Sequence, residues 1–277
     1  MSSPEFHRVP WLHRNSGGLG GFALLETAIE AARQVGQVLL EQFGTPQEIK
    51  SKGLRDIVTR ADLAAQARAV EVIRSQYPDH DILSEESGQV PGGASDYCWI
   101  VDPLDGTTNY SRGNPCFSVS IALSHRQEVI LGVVYDPLGG QLFRAQRGDN
   151  AYLNDHTIHV SAIERLIDTI VGLDWAHKQE MRSRITRWAA EVAPKVGTLR
   201  SIGSAALGLC SVAAGWSDAY FNLSLKPWDV AAASVIIQEA GGTVSDLAGL
   251  PWHLQSAGCL ASNGLIHRAI LNLLTET

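Results

Sequence analysis

Apolar positions recur at helical spacing over residues 22–43. Leu24, Leu25, Ala28, Ile29, Ala32, Val35, Leu39 and Phe43 form one stripe, with Glu26, Glu30 and Arg33 between them. That pattern predicts an amphipathic helix. A second helix is expected over 60–77, with Leu63, Ala67, Val70 and Ile73 as its apolar face and Pro78 ending it. The period then shortens. Residues 82–84, 97–101, 117–123 and 129–135 read as strands, and the turn Asp136-Pro137-Leu138-Gly139-Gly140 returns the chain into a strand at 141–145.

The second half alternates. A strand at 169–173 precedes a helix over 179–192, with Met181, Ile185 and Trp188 at helical spacing. Then come a strand at 196–202, a helix at 204–214, a strand at 219–223, a helix at 228–240, strands at 243–245 and 259–262, and a helix at 265–274. This order predicts two α/β subdomains, 22–160 and 161–277. The first 21 residues carry His7, Arg8, His13, Arg14 and four glycines, with no hydrophobic region of a secretion signal. They are expected to be a mobile tail.

The chain has 277 residues, of which 45% are hydrophobic and 18% charged. That balance supports a packed core and excludes wholesale disorder. The formal net charge of −7 lacks the electrostatic footprint of a nucleic-acid binder. No run of 18 apolar residues predicts a membrane span. Cys98, Cys116, Cys210 and Cys259 form no C-x-x-C pair. They read as buried free thiols, which suits a cytoplasmic location.

Several familiar sites are missing as motifs. There is no G-x-x-x-x-G-K-[ST], no G-x-S-x-G and no H-E-x-x-H. His156 and His159 form H-x-x-H in a polar turn without an identifiable third ligand, so a solvated surface is expected.

The informative chemistry is acidic. In Asp102-Pro103-Leu104-Asp105-Gly106-Thr107-Thr108-Asn109, two carboxylates follow a buried strand on a turn held by Pro and Gly. Such acids can converge on a hard cation. Gly106 permits close backbone approach, and N–H groups near Thr107 and Thr108 suit a phosphate. A plain strand–turn with Asp105 as a helix cap is the competing reading. Ser84-Glu85-Glu86-Ser87 places two acids after an apolar run. Asp62 and Asp229 each sit at a helix start, where capping alone accounts for them.

Taken together, the blocks 56–62, 84–87, 99–110, 203–206 and 228–232 make the chain resemble the inositol monophosphatase family of Mg²⁺-dependent, lithium-sensitive phosphatases. The resemblance implies the layered αβαβα sugar-phosphatase fold, assembled as a homodimer. It implies that Glu85, Asp102 and the Leu104 carbonyl hold a first Mg²⁺, and that Asp102, Asp105 and Asp229 hold a second. Glu85 would also serve a third site through water. Thr107, paired with Asp62, would orient the attacking water. Gly106, Thr107, Thr108 and neighbouring N–H groups would take phosphate oxygens, with Asp105, Ala205 and Asn222 lining the substrate pocket.

The implied reaction is hydrolysis of a small phosphomonoester by water, with inositol monophosphate the best single substrate. Fructose 1,6-bisphosphate, histidinol phosphate and a non-catalytic regulatory role are the alternatives. Asn222 departs from the acid that many inositol-phosphate members carry there, which leaves other sugar phosphates open. Ala233 replaces a usual Gly, a packing matter, and Ser84 replaces a frequent Gly. Trp175, in the unassigned segment 172–177, is expected in a core or interface rather than in the pocket.

Overall fold

The computed structural model describes residues 19–275, apart from 47, 55, 91, 93 and 94. The expected tail lies outside the described residues up to 18; residues 19–21 belong to the first helix, α1 (Leu19–Gln42). The hairpin β1 (Ile49–Gly53) and β2 (Asp56–Thr59) follows, then α2 (Arg60–Gln76). Next come β3 (Asp81–Ser84), β4 (Gly88–Val90), β5 (Tyr97–Asp105) and a short α3 (Thr107–Ser111). An antiparallel run then follows: β6 (Ser118–His125), β7 (Glu128–Asp136), β8 (Gln141–Gln146), β9 (Ala151–Leu153) and β10 (His156–Thr157). Beyond a 3₁₀ turn lie β11 (Ile170–Leu173), α4 (Gln179–Val192), β12 (Thr198–Arg200), α5 (Ala205–Ala213) and β13 (Ala219–Asn222). The chain finishes with α6 (Pro227–Glu239), β14 (Thr243–Ser245), β15 (Cys259–Ser262) and α7 (His267–Thr275).

Two sheets organise these elements. The larger has the order β10-β9-β8-β7-β6-β5-β3-β4, antiparallel except where β3 runs parallel to β5. The smaller has the order β12-β11-β13-β15-β14. Within it β11 is parallel to both β12 and β13, and β15 is antiparallel to β13 and β14. α1 and α2 cover one face of the larger sheet, and α5 and α6 fill the space between the sheets. α4 and α7 close the outer face of the smaller sheet. The layers therefore run αβαβα.

Burial explains the helices. α6 is apolar all round because it is enclosed on every side: Val230 to Ile237 are all buried. At Gly132 of β7 a Cβ would lie 2.2 Å from the Ala232 carbonyl oxygen, so only glycine lets α6 pack this close to the sheet. Ala233 is fully buried in the same layer.

α2 departs from its expected face. Leu63 is 51% exposed and Ala67 is exposed, whereas Ala61, Ala65, Ala69, Val72 and Ile73 are buried. Small alanines turn inward because α2 packs closely against α1. The β1–β2 hairpin carries no alternation to announce it, since all five residues of β1 are exposed. His156 and His159 are exposed, as expected, although His156 lies on the edge strand β10 rather than in a turn. All four cysteines are free; Cys210 and Cys259 are buried, but Cys98 and Cys116 are only half-buried. Among the described residues, no helix is long and apolar enough to cross a membrane.

Candidate active site

The site begins at an irregularity in β5. Asp102 pairs with Ser120 and Asp105 with Ser118, so one extra residue is accommodated on the β5 side. Pro103, which lacks an N–H, sits in that bulge. The strand was expected to stop at Pro103; it is interrupted there and resumes. Gly106 follows with φ 94°, and a Cβ on it would lie 2.9 Å from the Cys116 carbonyl oxygen. Both conformation and space demand glycine. Asn109 then donates to the Cys116 and Ile202 carbonyls, both at 2.7 Å, which ties the turn to the start of the α5 block.

Asp105 lies at the N-terminus of α5, not of α3. Its Oδ1 accepts from Ala205 N at 3.1 Å, and its Oδ2 accepts from Ala206 N at 2.9 Å and from the Ser204 hydroxyl. Uncapped amides at a helix start favour the ionised form. Burial still pushes Asp105 up to about 6 against those bonds. Asp102 accepts from Leu104 N at 3.0 Å through Oδ1 alone. Burial, with repulsion from Glu85, Asp105 and Asp229, holds it well above the usual carboxylate range. Asp229 lies in the first turn of α6 and accepts from Lys226 N at 2.8 Å through Oδ2. Burial, with repulsion from Asp105 and Glu85, raises it well above the ordinary value too.

Asp62 combines two roles that the sequence kept apart. Its Oδ2 accepts from the Thr59 N–H at 2.7 Å and the Thr59 hydroxyl at 2.6 Å, completing a capping box on α2. Its Oδ1 lies 3.0 Å from Thr107 Oγ1, a hydroxyl also 3.1 Å from the Leu104 carbonyl oxygen. Burial raises the Asp62 carboxyl.

Glu85, Asp102, Leu104, Asp105, Gly106, Thr107, Thr108, Ala205, Asn222 and Asp229 all line one pocket of about 360 Å³. Asp62 stands behind it through Thr107. A groove of about 480 Å³ between α1 and α2 is larger. Its wall is mixed charge, including an Arg68–Glu71 pair, and it holds none of these residues.

The carboxylates share a pocket without closing on one point. Among the described residues, no group of three His, Cys, Asp or Glu side chains forms a ready ligand set. Glu85 is turned to Lys52, whose Nζ lies 2.7 Å from Glu85 Oε1 and 2.9 Å from Glu86 Oε1. Asp105 is committed at both oxygens. Although burial works against the Lys52 ammonium, its bonds to the two glutamates raise it above its usual value. Among the described residues Asp102 Oδ2 and Asp229 Oδ1 accept no hydrogen bond. Carboxylate oxygens without a hydrogen-bond donor, lining one pocket in an all-oxygen set, fit a hard divalent cation.

The other wall was not visible beforehand. Asp174 is buried and accepts from Ser201 Oγ at 2.9 Å, Gly203 N at 2.8 Å and the Tyr220 hydroxyl at 3.0 Å. Burial raises its carboxyl nonetheless. Trp175 is 41% exposed and lines the pocket, so it is not a core aromatic. Tyr220 and the Gly203 amide turn Asp174 inward, and that leaves its neighbour Trp175 facing the opening. Lys52 had a weak signal in Lys52-Gly53 upstream of Asp56; Asp174 and Arg182 had none.

Layers and pocket together define an α/β protein of the layered sugar-phosphatase type. The chain belongs to the inositol monophosphatase family, whose model matches residues 23–277. It is 40% identical over 253 residues to "Nus factor SuhB" of Haemophilus influenzae, covering 90% of this chain and 94% of that one. Among solved structures it is similar to the extragenic suppressor protein suhB of Bartonella henselae, at 34% identity and a TM-score of 0.88, covering 92% of this chain and 99% of that one. It is also similar to an IMPase of Thermotoga maritima, at 33% identity and a TM-score of 0.85, covering 92% and 97%.

Proposed function

We propose that the chain is a Mg²⁺-dependent hydrolase of small phosphomonoesters, with inositol monophosphate the best single substrate. The observation that carries this reading is the group of carboxylates Glu85, Asp102, Asp105 and Asp229, with unpaired oxygens on Asp102 and Asp229, that lines one pocket together with the turn at 106–108. Glu85, Asp102 and the Leu104 carbonyl would hold one Mg²⁺; Asp102, Asp105 and Asp229 would hold another. Bound Mg²⁺ would supply Lewis acidity toward water and the phosphoryl oxygens.

The remaining work falls to the chain. Asp62 holds the Thr107 hydroxyl at 3.0 Å, which orients Thr107 toward an incoming water. The backbone at Gly106 and Thr107 takes the phosphate oxygens, as glycine allows. Ala205 and Asn222 contact the alcohol end of the substrate. Glu85 joins the ligand set by leaving Lys52. Water displaces the alcohol in line, so no side chain becomes phosphorylated. The protein is expected to act in the cytoplasm as a homodimer.

A second reading has a specific observation in its favour. The curated relative at 40% identity is named a Nus factor, which supports a regulatory role, with or without turnover, more directly than it supports hydrolysis. Phosphate release from inositol, sugar, histidinol and nucleotide phosphates, with Mg²⁺ and with chelator, separates the two. Mg²⁺-dependent release supports the hydrolase, and the ranking selects the substrate. A folded, Mg²⁺-binding protein that releases no phosphate from any of them supports the regulatory role alone.

A further inference from the structure

Asp105 is held differently from the other aspartates assigned to cations. Asp102 accepts from Leu104 N, two residues on, and Asp229 from Lys226 N, three residues back. Each is placed by its own turn. Asp105 takes its backbone bonds from Ala205 and Ala206, about a hundred residues away, and a further bond from the Ser204 hydroxyl. Its position therefore follows the N-terminus of α5, and that end of the helix follows the loop at 201–204 leading into it.

The loop is held between two carboxylates. On one side lies Asp105; on the other, Ser201 Oγ at 2.9 Å and Gly203 N at 2.8 Å both donate to Asp174 Oδ1. Gly203 takes φ 79°, and a Cβ on it would lie 2.8 Å from Asn109 Nδ2, so the backbone has one path here. Asp174 is fixed from behind in turn. Its Oδ2 accepts from the Tyr220 hydroxyl at 3.0 Å. The Tyr220 ring is wedged between two glycines: a Cβ on Gly172 of β11 would lie 2.8 Å from it, and one on Gly208 of α5 2.6 Å. Asp174 and Tyr220 are both buried. Buried bonds to a carboxylate are strong and leave little room for another geometry.

We propose that Asp174 is a positioning residue for one of the two cation sites: through residues 201–204 it sets the N-terminus of α5, and through those amides the carboxylate of Asp105, without being a cation ligand itself. This rests on the cation assignment above, in which Asp105 serves one site with Asp102 and Asp229, and Glu85, Asp102 and the Leu104 carbonyl make the other. The effect is selective. Loss of Asp174 weakens the site containing Asp105 and spares its neighbour, because among the described residues no ligand of the neighbouring site bonds to the loop. Partners that orient a ligating carboxylate contribute about 10–100-fold to metal affinity.

The probe is Mn²⁺, which takes the same oxygen ligands as Mg²⁺ and whose free concentration is read by electron paramagnetic resonance. The unaltered chain should bind one Mn²⁺ at each site. Asp174→Ala should weaken one of them about tenfold or more and leave the other unchanged. Asp174→Asn keeps an acceptor for Gly203 N and Ser201 while dropping the charge, so it should restore most of the lost affinity. The control is Asp218→Ala. Asp218 is a buried acid just before β13 in the same sheet, and it accepts from Ile170 N at 2.7 Å. Its removal should lower the melting temperature and leave both affinities as they were. Ser201 is exposed, so Ser201→Ala tests the same link where Asp174→Ala fails to fold, and should weaken the same site a few-fold. Unchanged affinities in folded Asp174→Ala, or in Ser201→Ala where the first variant does not fold, overturn the positioning role. So do equal losses at both sites or a matching loss in Asp218→Ala, since either means general loosening. A loss that Asp174→Asn does not restore assigns the effect to charge and overturns it too. Site-selective loss in a chain that releases no phosphate removes the hydrolase and leaves the positioning role standing. A folded, unaltered chain that binds no Mn²⁺ rejects the cation assignment and the positioning role with it.

Discussion

One wall of the pocket is made by residues 102–109, and its shape follows from rules that act within a few residues of chain. Pro103 interrupts a ladder, Gly106 takes a left-handed φ, and Asp102 and Asp105 are left facing inward on either side of the bulge. The other wall, Asp174, Trp175 and Arg182, has no comparable local logic. Asp174 faces inward because Tyr220, Ser201 and Gly203, all distant in the chain, supply donors there. The first wall is a motif. The second is a product of tertiary packing.

The sharpest way to break this contrast is to remove chemistry from the first wall without touching its scaffold. Asp102→Asn keeps the shape and the bond from Leu104 N while deleting a charge. On the hydrolase reading, activity should fall roughly 100-fold or more, since cation-derived stabilisation contributes several kcal/mol. The melting temperature should hold or rise, because burial already disfavours the ionised form. Near-normal turnover in a folded variant would sink the carboxylate assignment.

The same division governs what could be read from sequence. Most helices and strands were visible, because apolar spacing encodes the face that each buries. The carboxylates were visible because turn chemistry places them. What escaped was set by partners distant in the chain. Leu63 and Ala67 looked like a core face, yet close approach to α1 selects the alanines of α2 instead. β1 has no buried side to give a period; it exists through its pairing with β2, and through Lys52 it reaches Glu85 and Glu86. The competing reading of Asp105 was a cap on the helix that follows it; the helix it serves is α5, about a hundred residues on.

The second wall should respond in stability before it responds in chemistry. Asp174→Ala strands the buried Tyr220 hydroxyl, the Ser201 hydroxyl and the Gly203 N–H together. The Tyr220 hydroxyl is buried and its lost partner costs about 1–3 kcal/mol, whereas Ser201 and Gly203 are exposed and water takes the place of theirs. Denaturant unfolding should show a loss of about 1–3 kcal/mol, with Asp174→Asn recovering part. A loss under about 0.5 kcal/mol would mean the wall is held by packing alone.

Removing the cation should separate the walls by pH. Asp105 is raised from 3.8 to about 6, and burial raises Asp102 and Asp229 as well. The folded, metal-free protein therefore holds protons that the unfolded chain releases. These carboxyls cost no stability at low pH, and their cost grows as pH rises above the unfolded value toward the folded ones. A divalent cation binds the ionised set and offsets that cost. The gain in melting temperature on adding Mg²⁺ should be larger by a few degrees at about pH 8 than at about pH 5. An equal gain at both would place the bound cation away from these carboxyls.

The smallest expected effect lies where the walls meet the substrate. Asn222 is buried at the end of β13, lines the pocket, and spends its Oδ1 on Ser224 N at 3.0 Å. Its amide thus offers donors to a ligand and little acceptor capacity. Inositol presents hydroxyls at every ring position, and a carboxylate accepts from two of them at once. Asn222→Glu supplies that acceptor in a pocket that already favours cations. It should move the ranking of substrates a few-fold toward inositol phosphate over a hexose phosphate, with a smaller change in kcat than in KM, because the contact is made before and during the chemical step alike. A ranking that does not move would place Asn222 outside reach of the ring, and would leave the choice of alcohol to the wall carrying Trp175 and Arg182.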